Sequence, residues 1–315
     1  MQWLSRTPNF DFVKYRRVAM VTSTTLSLLA IIAIFYPGLN YGLDFTGGIL
    51  VEARYSEAPE LDRIRAELSG GGFEDTQVTG SGADVLIRLP PPEGVEGAEP
   101  TAEAVNSLRD RVLEVLRAQD PDVTILRADN VGGQVGAELF ENAGLALLFA
   151  LIMIFIYVML RFRWKLAVGA IVATVHDVLV TTGIFAIAGW QFDLTVLGSI
   201  LAVLGYSIND TIVVYDRIRD NFRLMRRGTP EAIVNASMNQ TLARTLVTGV
   251  TTLLVLFAMI FLAGETLWGF SVALVIGIVV GTYSSIYVAS SMALVLKVEQ
   301  SDFVEAKKVH ADETP

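Results

Sequence analysis

Apolar residues fall along this chain in two patterns, and each predicts a different kind of element. Six nearly unbroken apolar runs, at 18–36, 143–160, 166–188, 194–215, 245–263 and about 267–296, each reach the roughly 20 residues that a helix needs to cross a hydrocarbon layer about 30 Å thick. They predict a membrane bundle of six helices. The sixth run is longer than one crossing, so it is expected to tilt or to extend into water. Residues 37–142 carry shorter periods instead. Residues 48–55 alternate as a strand, and Leu61, Ile64 and Leu68 repeat at helical spacing up to a stop at Ser69-Gly70-Gly71-Gly72. Residues 75–79 and 84–89 read as a hairpin about Gly80-Ser81-Gly82, with Val85, Ile87 and Leu89 on one face. After a Pro, Gly and Glu-rich loop at 90–100, Thr101 opens a helix keeping Val105, Leu108, Val112, Val115 and Leu116 on one side, and 123–126 supplies a last strand. The order βαββαβ predicts a ferredoxin-like α+β domain inserted between the first two membrane helices.

Basic residues orient the bundle. Arg6, Lys14, Arg16 and Arg17 precede the first span and 161–165 carries Arg161, Arg163 and Lys165; Arg217, Arg219, Arg223, Arg226 and Arg227 follow the fourth, and Lys297, Lys307 and Lys308 follow the sixth. The alternate connections, 189–193 and 264–265, have no Lys or Arg. Short loops rich in Lys and Arg stay in the cytoplasm, so 1–17, 161–165, 216–244 and 297–315 are expected inside, and 37–142 outside. The first span could be a secretory leader, but it is long for one and Tyr36-Pro37-Gly38-Leu39 offers no small-residue cleavage site, so an uncleaved anchor is expected.

Charge sharpens this division. Residues 37–142 carry 20 Asp and Glu against 8 Arg and no Lys, net −12, while the remainder has 16 basic and 13 acidic residues, net +3. A domain this acidic would repel both nucleic acid and anionic lipid, which argues against either as its partner. A solvated surface explains the acidity as well as a binding face does. With no cysteine in the chain there is no thiol chemistry or disulfide. The inserted domain has no His either, so neither a catalytic centre nor a cofactor or metal site is expected, and the chain reads as no enzyme.

Ionisable groups inside the spans are the candidate chemistry, because burying each in lipid costs a few kcal/mol or more. His176 and Asp177 lie deep in the third run, as a proton relay or as a structural clamp; being adjacent, they point about 100° apart on a helix and are not expected to face one narrow site. Asn209 and Asp210 lie in the fourth run, and Arg244 at the entry to the fifth lies at a depth matching Asp210. An Asp210–Arg244 ion pair would reduce the cost of burying both. Thr241, Thr245, Thr248 and Thr252 form a stripe up the fifth helix, with Arg244 and Thr251 beside it, either as a wet seam or as hydroxyls bonded to their own backbone. Asp210, Arg244, Asn209, His176, Asp177 and Thr248 are thus the candidate ion-pathway residues. Gly277 and Gly281 make a GxxxG spacing that predicts close helix packing.

Several motifs carry a resemblance. GLDFTGG at 42–48, VGGQVGAEL at 131–139, HDV at 176–178, GYSINDTIVVYDRIR at 205–219 and NQTLART at 239–245 are similar, in order, to the SecF branch of the SecD/SecF family of bacterial protein-export membrane proteins. The resemblance runs from about Tyr41 to Ala289. It implies an RND-like half-bundle completed by a SecD partner, together assisting the SecYEG channel and the SecA motor in moving unfolded preproteins across the inner membrane on the proton-motive force, with YajC as a further partner. Asp210 and Arg244 match the intramembrane charges linked to proton passage. Met1 and the short basic arm lead to the expectation that SecD is a separate chain. Two other classes stand beside this reading: a stand-alone ion-coupled transporter of small molecules, for which six helices give only half the usual repeat pair, and a passive assembly scaffold.

Overall fold

The computed structural model describes residues 8–73, 76–90, 101–131, 133–225, 228–264 and 267–303. Arg6, Asp75, most of the 90–100 loop, Gly132, Arg226, Arg227, Glu265, Lys307 and Lys308, which entered the sequence reading, lie outside the described residues. The chain opens with helix α1, Arg16–Ala33, continued by a wider turn at Ile34–Gly38. A two-residue strand β1, Asn40–Tyr41, and a single turn α2, Leu43–Thr46, lead into the inserted domain. There follow β2 Gly48–Arg54, α3 Leu61–Gly70, β3 Gln77–Ser81, β4 Asp84–Leu89, α4 Ala102–Arg117 and β5 Thr124–Val131.

The sheet order is β3-β4-β2-β5 with every neighbouring pair antiparallel, which is the ferredoxin-like arrangement. Alternation does the sorting: Ile49, Val51 and Ala53 of β2 and Val85, Ile87 and Leu89 of β4 are buried and join Ile64, Leu68, Val112 and Leu116 from the two helices in one core. Each Val, Leu or Ile side chain removed from water here stabilises the domain by about 1.5–3 kcal/mol. The hairpin differs from expectation at its tip. Gly80 and Ser81 stay in the strand, Ser81 pairs with Asp84, and the turn is made at Gly82, whose φ of 65° suits glycine. The last strand is also longer than 123–126, running to Val131 across a bulge opposite Glu52 and Ala53.

Among the described residues six helices are long and apolar enough to cross a membrane. After α1 they are α5 Gly133–Arg161, α6 Trp164–Ala188, α7 Leu194–Leu224, α8 Pro230–Leu262 and, as one interrupted span, α9 Trp268–Ser284, a wider turn Ser285–Ala289 and α10 Ser290–Val295. Strand β6, Gln191–Phe192, sits between α6 and α7. The helices overrun the apolar runs, because a helix can continue into water once it is capped. Residues 216–244, expected as a loop, are mostly the end of α7 and the start of α8, and 133–142 is already α5. Thr229 caps α8 through the Ala232 N–H, with Pro230 next and Glu231 in the first turn.

The bundle is layered. α6, α7 and α9 are its interior, while α1, α5 and α8 lie outside with broad apolar faces exposed. A Cβ on Gly277 would run into the Val203 side chain, and one on Gly281 would lie 3.2 Å from Ser207 Cβ, so the GxxxG pair lets α9 close on α7. At one end, Asn235 and Asn239 of α8 strap the arm that precedes α1 through the backbone of Phe10 and Phe12.

Candidate functional site

The intramembrane candidates separate into two places. The first is a closed polar cluster around Asp177 on α6, whose side chain is fully buried. Its Oδ2 accepts hydrogen bonds from Ser207 Oγ of α7 and from Ser284 Oγ of α9, the latter at 2.7 Å, and its Oδ1 lies 3.0 Å from His176 Nδ1. Thr211 Oγ1 and Ser285 Oγ, 2.9 Å apart, continue the cluster, and the Tyr215 hydroxyl donates to the Ala289 carbonyl at 3.0 Å. The expectation that His176 and Asp177 cannot serve one site is corrected. Their Cβ atoms diverge, but the two side chains curl back far enough to touch. The outer nitrogen of His176, Nε2, is buried and has no partner among the described residues, and the residue lines a cavity between α1 and α6 with Ser23, Thr24 and Ser27.

The second place is the face that α7 turns toward α8. Asp210 is 3% exposed, and its Oδ2 is buried without a hydrogen-bond partner among the described residues. One helical turn earlier the Tyr206 hydroxyl is buried and equally unpartnered, 3.7 Å from the position a Cβ would take on Gly249 of α8. Two orphaned polar atoms on one helix face are unusual, since buried polar groups are nearly always paired. The expected ion pair is absent: Arg244 is exposed and makes no contact within 4.0 Å of a carboxylate among the described residues. Asn209, beside Asp210, is exposed as well.

The threonine stripe supports its plainer reading. Thr241, Thr248, Thr251 and Thr252 each bond a backbone carbonyl of α8 itself, so their hydroxyls are already occupied. Thr248 therefore lies near the candidate residues without joining them. Among the described residues no cluster of three or more His, Asp or Glu is arranged to hold a metal ion.

Sequence reasoning missed three contributors. Ser207 is one turn before Asp210 on α7, yet it serves Asp177; only the packing of α6 against α7 shows this. Tyr206 reads as an ordinary interior aromatic. Asp44, within the GLDFTGG motif, accepts a hydrogen bond from the Leu194 N–H at 3.2 Å at the start of α7, while its other oxygen faces Arg88 of β4 at 3.5 Å. Its neighbourhood is tight: Gly42 donates to the Phe192 carbonyl, β1 pairs with β6, and a Cβ on Gly136 of α5 would lie 2.5 Å from the Phe45 carbonyl oxygen. Asp44 thus ties the inserted domain to the helix that carries Asp210.

Comparison with known proteins agrees with this arrangement. Residues 111–299 match the family described as protein export membrane protein SecD/SecF, C-terminal, and residues 32–59 match the SecD/SecF GG motif. The chain is 42% identical to protein translocase subunit SecF of Vibrio alginolyticus, covering 100% of this chain and 99% of that one, and 41% identical to SecF of Escherichia coli O157:H7, covering 95% and 91%. The crystal structure of SecDF, a translocon-associated membrane protein from Thermus thermophilus, superposes with a TM-score of 0.76 at 37% identity, over 94% of this chain and 39% of that one. The chain therefore spans well under half of that SecDF chain, whose fold it shares. On full-length similarity, on both motif regions and on a six-helix RND-like half-bundle with its α+β domain, this chain belongs to the SecF family of protein translocase subunits.

Proposed function

We propose that the chain is the SecF half of a proton-driven auxiliary for protein export. A SecD partner supplies the other half-bundle, and the pair works beside the SecYEG channel and the SecA motor, with YajC as a further companion, on unfolded preproteins. It sits in the bacterial inner membrane with both termini inside and residues 37–142 in the periplasm. The observation that carries this reading is Asp210: a buried carboxylate with an orphaned oxygen, with an exposed Asn209 beside it in the chain and an exposed Arg244 on the neighbouring helix α8. An arginine facing lipid at that depth is costly, so a second helical chain belongs over the α7–α8 face. Protonation of Asp210 removes its attraction for Arg244 and lets the two halves repack, and the tie through Asp44 passes that change to the domain. His176 and Asp177 serve as the polar clamp beside this path. Inverted membrane vesicles carrying this chain with its partner test the proposal. Asp210→Asn should abolish the stimulation of export by a proton gradient while leaving ATP-driven export intact; stimulation that survives the substitution would overturn it, and repeating the assay with a sodium gradient identifies the coupling ion.

A further inference from the structure

Where α1 begins and α10 ends, the two helices leave a groove of about 440 Å³ between them. Its walls are mostly apolar, formed by Met20 and Val21 of α1 and by Leu294 and Val295 of α10, and Ser291 of α10 also lines it. Its mouth is cationic, because Arg16 and Arg17 both line it. Arg16 is partly neutralised by Glu231, 3.5 Å away, whereas Arg17 is exposed and makes no ion pair among the described residues. Beyond the two arginines the outer face of α1 is bare and apolar, Val18 and Val21 each being 67% exposed, so hydrocarbon begins one turn above the charges. The groove therefore crosses the depth at which lipid headgroups meet lipid chains.

We propose that this groove is a binding site for one anionic phospholipid, with the headgroup phosphate on Arg17 and Arg16 and an acyl chain laid along Met20, Val21, Leu294 and Val295. The charge and the shape select the ligand together. A soluble anion would leave the apolar walls bare, and a zwitterionic lipid would bring its own cation to the arginines. A basic recess between membrane helices is a recurring way to hold such a headgroup, each arginine or lysine near the surface strengthening the attraction about fivefold, and the long arginine stems let the guanidinium reach the phosphate while their methylenes stay on the apolar wall.

Native mass spectrometry of the purified full chain, released from detergent after titration with phosphatidylglycerol or with phosphatidylcholine of the same acyl chains, tests this. One phosphatidylglycerol should be retained with at least about a fivefold preference. Arg17→Gln should reduce it to the phosphatidylcholine level, Arg17→Lys should keep it, and Leu294→Trp, which fills the groove, should expel it with Arg17 in place. Equal retention of the two lipids, or a preference that survives Arg17→Gln, overturns the proposal. Displacement by Leu294→Trp with no charge preference would mark a slot for lipid chains alone and overturns it equally.

Discussion

Tyr55 directly follows β2, with its side chain buried and its hydroxyl oxygen unpartnered among the described residues. Burial disfavours the phenolate, the nearby charges of Glu67 and Asp120 add to this, and Arg63 opposes them, so the hydroxyl is pushed up to about 12. The folded state therefore holds this proton more tightly than the unfolded chain, whose tyrosines titrate near 10. The resulting stability is complete below about pH 10 and is lost as pH rises toward 12. Tyr55→Phe should leave thermal stability at neutral pH unchanged to within about 1 kcal/mol, since no hydrogen bond is given up. It should also move alkaline unfolding to higher pH and remove a phenol step near pH 12 from an ultraviolet titration. A clear loss of stability at neutral pH would show that the hydroxyl is bonded after all. The two deep carboxylates give a contrast at the same scale. Both sit in apolar runs, yet Asp177 is held by three neighbours and Asp210 keeps an oxygen free. Apart from the adjacent His176, nothing in the local sequence separates them, because the serines that donate to Asp177 come from α7 and α9.

Among the elements, α9 is the most demanding. Gly277 rests against Val203 and Gly281 against Ser207, so the closeness of α7 and α9 depends on two missing side chains. Gly277→Leu should cost about 1–3 kcal/mol by overpacking, read as a lower melting temperature in detergent, and Val203→Ala in the same chain should recover part of it. If the melting temperature is unchanged, the two helices are not packed as described. GxxxG spacing made this approach legible in advance. The wider turn Ser285–Ala289 was not, since no proline or glycine marks it; it falls where Ser284 and Ser285 turn toward Asp177 and Thr211. Helix ends were also poorly legible. α7 and α8 run past their apolar stretches because capping and polar contacts, such as Asn221 with Ser237 and Gln240, hold them together beyond the bilayer.

For the whole molecule the decisive contact is the one between the inserted domain and the bundle. It is made by the GLDFTGG segment: β1 lies on β6, Phe45 stacks on Phe192, and Asp44 spans from Arg88 to the first turn of α7. A change at the start of α7 therefore reaches the domain without passing through a flexible linker. Asp44→Ala should loosen this tie while leaving both parts folded, because Asp193 still caps α7 through the Val196 N–H. Spin labels at Ser107 on α4 and Ile187 on α6, both exposed, should then give a broader distance distribution by pulsed electron resonance. An unchanged distribution would place the tie elsewhere.

Six crossings, an acidic α+β insertion and a short register of charges in the membrane were all determined by the sequence alone, since lipid and water impose one-dimensional rules: about 20 apolar residues per crossing, alternation in strands, few charges at depth. Partnership among those charges was decided only in three dimensions. Whether His176 touches Asp177, whether Arg244 reaches Asp210, and which helix Ser207 serves depend on how α6, α7, α8 and α9 rotate against one another. That rotation is set by side-chain shape at contacts far apart along the chain, such as Gly277 on Val203, and no local pattern encodes it.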